Sequence, residues 1–281
     1  MWQPAQAAEE LSGKSLHAQY VQLRPELADS PFDPPLILNS KVNNSEAHGQ
    51  VFAILDFPLA QLSHNLIQPE KWCEIALLHV NVKACTYQPD KLHFYVGRKY
   101  YQTPAEAYPL SYRFEALSDD GMYLHVRLSA PDGPLGTSDY LINVEAIPIE
   151  GHRSFLRFQY SYRYGMMARL ALSTYLATLG RNKVGFTVVN TDDQGETVYV
   201  QGIEGVVERN VMRYLIAIQS FLEAEPTPPQ LRFMAQITRW FAHASKYPRQ
   251  LIEFTRSDYL DAKKKELLNQ QILQQQLRTE Q

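Results

Sequence analysis

The segment Ser154–Tyr164 places Leu156, Phe158, Tyr160, Tyr162 and Tyr164 at one parity, and Arg157, Gln159, Ser161 and Arg163 at the other. In a strand, period two puts these sets on opposite faces. One face is a row of phenyl and phenol rings; the other is charged and solvated. Buried phenol hydroxyls need partners, so a row of them points to a pocket that holds water or a ligand. The chemistry such a lining offers is binding: ring bodies cover an apolar guest while hydroxyls hold its polar end.

No other stretch carries a catalytic signature. The 8 histidines include no HExxH pair and no match to a Cys or Ser nucleophile motif. GxSxG, GxGxxG and the phosphate loop are missing. Asp119-Asp120-Gly121 and Asp192-Asp193 sit in turn-forming stretches and lack the ligand spacing of a calcium loop. Cys73 and Cys85 lack CxxC spacing and a nearby His pair, which argues against zinc. They read either as two buried thiols or as a bridge between a helix and the strand after it, and a bridge would imply an oxidising compartment. No cofactor and no metal are expected.

The 281 residues allow one large domain with appendages, and 45% hydrophobic residues allow a sizeable core. Net charge is −3 with the basic residues dispersed, so nucleic acid is not an expected partner. Tyr (17) outnumbers Phe (12), which fits β-rich structure with amphipathic surfaces. No apolar run is long enough to span a membrane. The opening MWQPAQAAEE is not an intact signal peptide, although Ala-Gln-Ala resembles a cleavage site. With the cysteine pair, this favours a bacterial periplasm over the cytoplasm.

These rings must be positioned by a sheet and something that covers it. Residues 1–47 read as an arm with a short helix near Ala5–Leu11, broken by Ser30-Pro31-Phe32-Asp33-Pro34-Pro35. Gln50–Phe57 reads as a strand, followed by helices from Pro58 and from Pro69. Six strands follow as a meander, at Asn81–Tyr87, Lys91–Lys99, Tyr108–Leu117, Met122–Ser129, Ser138–Ile147 and Phe155–Tyr164. Their alternation predicts an antiparallel sheet with one wet face. On that face Arg113, Arg127, Arg157 and Arg163 read as a solvent-facing ladder with Glu115 and Glu145 as partners. A helix over Met166–Leu179, stopped by Gly180-Arg181-Asn182, precedes two short strands, Val184–Val189 and Thr197–Gln201. A long helix over Ile203–Glu223 then carries the stripe Val207, Val211, Tyr214, Leu215, Ile218 and Leu222. After Pro229 come an amphipathic helix and the polar, Gln-rich Lys263–Glu280, which reads as a solvated helix or frayed tail or, more sharply, as a coiled-coil contact or partner-binding helix, with few heptads.

This order of elements resembles the helix-grip fold of the START-like superfamily, over about Gln50 to Glu223. The resemblance rests on the Val51–Phe57 strand, the Pro58 helix start, Pro69-Glu70-Lys71-Trp72, the meander and the Ile203–Glu223 helix. It implies an α+β fold in which a curved antiparallel sheet grips a long helix, with extra helices at the C-terminus. Residues 1–47 would be an arm, 48–224 the ligand-binding domain and 225–281 a helical extension. It also implies a hydrophobic ligand, lipid or sterol-like, between sheet and helix, and with a lipid cargo, transient membrane contact. The expected lining is Tyr112, Phe114, Tyr140, Phe158, Tyr160 and Tyr162 from the sheet, with Asn210 and Tyr214 from the helix. Read alone, these side chains could equally pack on one another as plain core, and Asn210 could brace the fold. Arg98-Lys99-Tyr100-Tyr101 reads as a solvated loop or as a pocket rim meeting a phosphate or lipid headgroup. The alternatives are a cyclase- or hydrolase-type enzyme using Tyr160 or Asn210 in the same cavity, and a scaffold that docks partners on the C-terminal helices.

Overall fold

The computed structural model describes residues 11–43, 45–170 and 183–279. Strands β1 (Leu36–Val42), β2 (Glu46–Leu55), β3 (Val82–Gln88), β4 (Lys91–Val96), β5 (Tyr108–Asp119), β6 (Leu124–Asp132), β7 (Thr137–Ile149) and β8 (Arg153–Tyr164) form one sheet. The order is β1-β2-β8-β7-β6-β5-β4-β3, and every neighbouring pair is antiparallel. Register shifts interrupt β3–β4, β5–β6 and β7–β8, and such bulges bend and twist a sheet. The helix α1 (Gly13–Ala28) precedes β1, and α2 (Leu59–Leu66) and α3 (Pro69–Leu78) link β2 to β3. The remaining described elements are the hairpin β9 (Val188–Thr191) and β10 (Thr197–Tyr199), then α4 (Gly202–Glu223), α5 (Pro229–Ser245), α6 (Pro248–Leu251) and α7 (Arg256–Thr279).

The α+β helix-grip architecture is therefore present, with α4 as the gripped helix. It lies along β2, with β1 and β8 beside it. Gly49 permits this approach: a Cβ there would sit 2.5 Å from Val207 Cγ1 and 2.8 Å from Val211 Cγ2. Val207, Val211, Leu215, Ile218 and Leu222 of the expected stripe are buried, as are Leu156, Phe158, Tyr160, Tyr162 and Tyr164 of β8. Cys73 and Cys85 form a disulfide from α3 to β3, with Cα atoms 5.0 Å apart.

The structure departs from expectation at both ends of the chain. The sheet begins at Leu36, inside the segment expected as an arm, because β1 pairs with β2 along its whole length. Helix α1 starts at a capping box between Ser12 and Ser15 and covers one end of the face expected to be wet. There Leu16 and Leu27 pack with Phe52, Tyr123, Ile147 and Phe155 in a second small core. Arg157 and Glu145 are consequently buried, at 1% and 0% exposure, and not part of a solvated ladder. Glu145 accepts from Arg157 Nε at 2.7 Å and from Tyr123 Oη at 2.5 Å, while Arg157 Nη1 donates to Gln19 at 2.9 Å. Arg113 and Arg163 are exposed as expected, Arg113 at 3.2 Å from Glu115 and Arg163 at 3.9 Å from Asp139. The helix expected at Ala5–Leu11 lies outside the described residues except for Leu11. Of Met166–Leu179, residues 166–170 are helical; the rest, with the stop Gly180-Arg181-Asn182, lies outside the described residues.

Nor is the Gln-rich end a solvated tail. Helix α7 runs along β3, the last strand of the sheet. Cys85 N–H donates to Gln270 Oε1 at 2.8 Å and Tyr87 N–H to Gln274 Oε1 at 2.8 Å; Gln274 Nε2 returns a bond to Tyr87 O at 3.1 Å. One position earlier in the same series, buried Glu266 meets Lys83 at 2.8 Å and Lys263 at 2.7 Å. The match is geometric. Four helix residues advance about 6 Å, and two strand residues advance about 6.6 Å. Residues 266, 270 and 274 can therefore follow 83, 85 and 87 in step. An edge strand with unpaired backbone groups is a hazard, and α7 satisfies it with side-chain amides.

Candidate functional site

Between one flank of α4 and the far strands of the sheet lies a cavity of about 390 Å3. It is lined by Phe94 and Val96 of β4, Leu110 and Tyr112 of β5, Tyr140 of β7 and Tyr160, Tyr162 and Tyr164 of β8, facing Asn210 and Tyr214 of α4. The geometry follows from the two periods. Alternate residues of adjacent antiparallel strands share one face, and Asn210 and Tyr214, four apart, share one helix face.

Six of the eight expected lining residues meet here: Tyr112, Tyr140, Tyr160, Tyr162, Asn210 and Tyr214. Phe114 is buried in the main core and does not line the cavity. Phe158 lies behind the wall, stacked on Tyr214 with ring centroids 5.5 Å apart. The phenol rings contact one another in a chain, with Tyr140 stacked on Tyr162 at 5.4 Å and Tyr160 tilted against both Tyr162 and Tyr214. They nonetheless leave space between them.

Two hydroxyls of this set are satisfied within the protein. Tyr140 Oη donates to Thr137 Oγ1 at 3.0 Å, and Tyr164 Oη donates to Asn43 O at 2.7 Å. The hydroxyls of Tyr112, Tyr160, Tyr162 and Tyr214, all within buried residues, bond to no described residue. Burial, reinforced by the neighbouring phenols, raises the pKa of all four above the ordinary tyrosine value. They are neutral donors at any workable pH. Asn210 is half-buried on α4 and likewise bonds to no described residue, so it does not act as a brace.

Sequence reasoning offered Lys99 within a rim cluster but missed His79, Arg209 and Arg213, which join it at a cationic end of the same cavity. His79, Lys99, Arg209 and Arg213 also line it. Arg209 and Arg213 were legible as an i, i+4 pair inside an otherwise apolar helix, a costly placement unless the pair has work to do. Of the Arg98-Lys99-Tyr100-Tyr101 cluster, Lys99 alone turns inward to this lining, while Tyr100 is exposed. Among the described residues no group of His, Cys, Asp and Glu could hold a metal ion.

No family model matches this chain, and no curated protein matches it. Among solved structures, truncated norcoclaurine synthase from Thalictrum flavum is similar at 11% identity, over 50% of this chain and 89% of that one, with a TM-score of 0.35. The Zhui aromatase/cyclase from Streptomyces sp. R1128 is 9% identical over 72% of this chain and 94% of that one, with a TM-score of 0.32. CalU16 from Micromonospora echinospora is 9% identical over 75% and 92%, also at 0.32. Likenesses this remote carry nothing over to this chain, whose architecture is established by its own strand order and register.

Proposed function

We propose that this protein binds, and in doing so carries, a hydrophobic or amphipathic small molecule in the cavity between sheet and α4, of the lipid or sterol-like kind. The observation that carries the reading is the set of four phenols, of Tyr112, Tyr160, Tyr162 and Tyr214, ranged around a void with no partner among the described residues. Their hydroxyl oxygens are not among the fully buried unpartnered atoms, so they open onto the void, where a guest or water can accept from them. The volume of about 390 Å3 falls within the roughly 300–1,000 Å3 of small-molecule sites. Binding would draw on apolar area removed from water, about 25 cal/mol per Å2, with the phenols fixing orientation. Native mass spectrometry on gently purified protein tests this, followed by titration with a panel of fatty acids, sterols and fatty alcohols. A reproducible adduct or saturable binding supports it. A bare mass together with no binding across the panel sinks it.

A further inference from the structure

The cavity changes character at one end. Lys99, just after β4, and Arg209 and Arg213, four apart on α4, line it there with His79, which follows α3. No aspartate or glutamate is among the described lining residues. Among the described residues, Glu253 meets this group from outside the lining: it accepts from Arg213 Nη2 at 3.1 Å and pairs with Lys99, while Arg209 Nη1 donates to Val184 O at 3.1 Å. Burial opposes the ionisation of Glu253, yet Arg213, Lys99 and Lys183 together hold its carboxyl below the ordinary carboxylate value. The wall that faces the void is thus positively charged, in an apolar surround where such a field is weakly screened.

His79 gives an independent sign. It is 4% exposed, and its Nδ1 accepts from Asn81 N–H at 3.2 Å. Burial, then the charge of Arg213, pushes its pKa well below the ordinary value, so the ring is neutral. A neutral imidazole whose Nδ1 accepts carries its proton on Nε2. That buried N–H has no hydrogen-bond partner. It is a donor that lacks an acceptor, in the same lining as the phenol donors of Tyr112, Tyr160, Tyr162 and Tyr214. A guest that satisfies this wall must bring acceptor oxygen and negative charge to one end.

We propose that the Lys99–Arg209–Arg213–His79 end of the cavity receives the anionic oxygen head, carboxylate or phosphate, of an amphipathic acid whose apolar body lies against Phe94, Val96, Leu110 and Tyr112. This rests on the carrier reading above and narrows it to acids. Guanidinium forks suit either head, since each presents paired oxygens.

Isothermal titration of the full chain with decanoic acid, decyl phosphate and decan-1-ol separates the possibilities, because the three share one apolar body. At least one acid should bind about tenfold or more tightly than the alcohol, as a charge-assisted contact requires. The tighter of the two acids identifies the head. Lys99→Met should then bring that acid to within about threefold of the alcohol. The comparison on the unaltered chain stands even if the variant does not fold. An alcohol that binds as tightly as both acids overturns the head-group assignment and leaves the carrier reading intact. An acid preference that survives both Lys99→Met and Arg209→Gln, in folded protein, also overturns it. Absence of binding by all three overturns both.

Discussion

At the β3 edge, the N–H groups of Cys85 and Tyr87 and the ammonium groups of Lys83 and Lys263 are all buried or half-buried, and each has a partner on or beside α7. In the cavity, the hydroxyls of Tyr112, Tyr160, Tyr162 and Tyr214 face the void and the Nε2–H of His79 is fully buried, and none of them has a partner among the described residues. The two regions lie on the same sheet. Polar groups that complete one another inside the chain stabilise the fold. Polar groups left incomplete around a void are the ones the proposed guest would complete.

The contrast can be broken most forcefully at Glu266. Its removal in Glu266→Ala leaves Lys83 and Lys263 buried without their shared carboxylate, and destabilisation of about 3–5 kcal/mol is expected in urea unfolding. A loss below about 1 kcal/mol would mean that the edge is not held by its polar pairing. A middle-sized effect is expected from pH on the acid-binding proposal. Burial, then the like charge of Arg213, holds Lys99 to about 8, with Glu253 opposing the shift and Arg209 adding to it. Lys99 is therefore cationic below that value and loses its charge above it. Affinity for the preferred acid should fall on the order of tenfold between pH 7 and pH 9, with decan-1-ol unchanged. A flat titration would remove Lys99 from the head-group contact. The smallest effect belongs to Tyr160→Phe. Because its hydroxyl lacks a protein partner, unfolding free energy should shift by no more than about 0.5 kcal/mol. A loss above about 1.5 kcal/mol would show that the phenol is a structural group after all, and the two regions would cease to differ.

Much of the sheet was legible because burial there follows side-chain period over long stretches: residues 110–114 of β5, 126–130 of β6 and 158–164 of β8 alternate, and Pro58 and Pro69 announce α2 and α3. The lining was legible for the same reason, since Tyr112, Tyr140, Tyr160 and Tyr162 fall on the inward parity. Three things were harder to read, each for a physical cause. Strand β1 ends the sheet, so its burial pattern fades along its length after Leu36 and Ile37. Helix α1 does carry Leu16, Tyr20, Leu23 and Leu27 at helical spacing, but Pro25 lies within its last turn and reads as a stop. Helix α7 docks through Glu, Lys and Gln, and a search for apolar stripes does not see a helix that packs by hydrogen bonds. The cationic end escaped for a related reason. Arg209 and Arg213 lie beside the stripe, and only the three-dimensional meeting with His79 and Lys99 gives them a shared purpose.

The glutamine ladder also decides how copies of this chain could join. An open strand is a template for a foreign strand, and with β3 masked by Gln270 and Gln274 the sheet's other terminal strand, β1, is where such growth would have to start. Two molecules meeting there would consume each other's one open border of the eight-stranded sheet among the described residues. Strand addition to the eight-stranded sheet would then end in a closed pair for as long as Gln270 and Gln274 stay on β3.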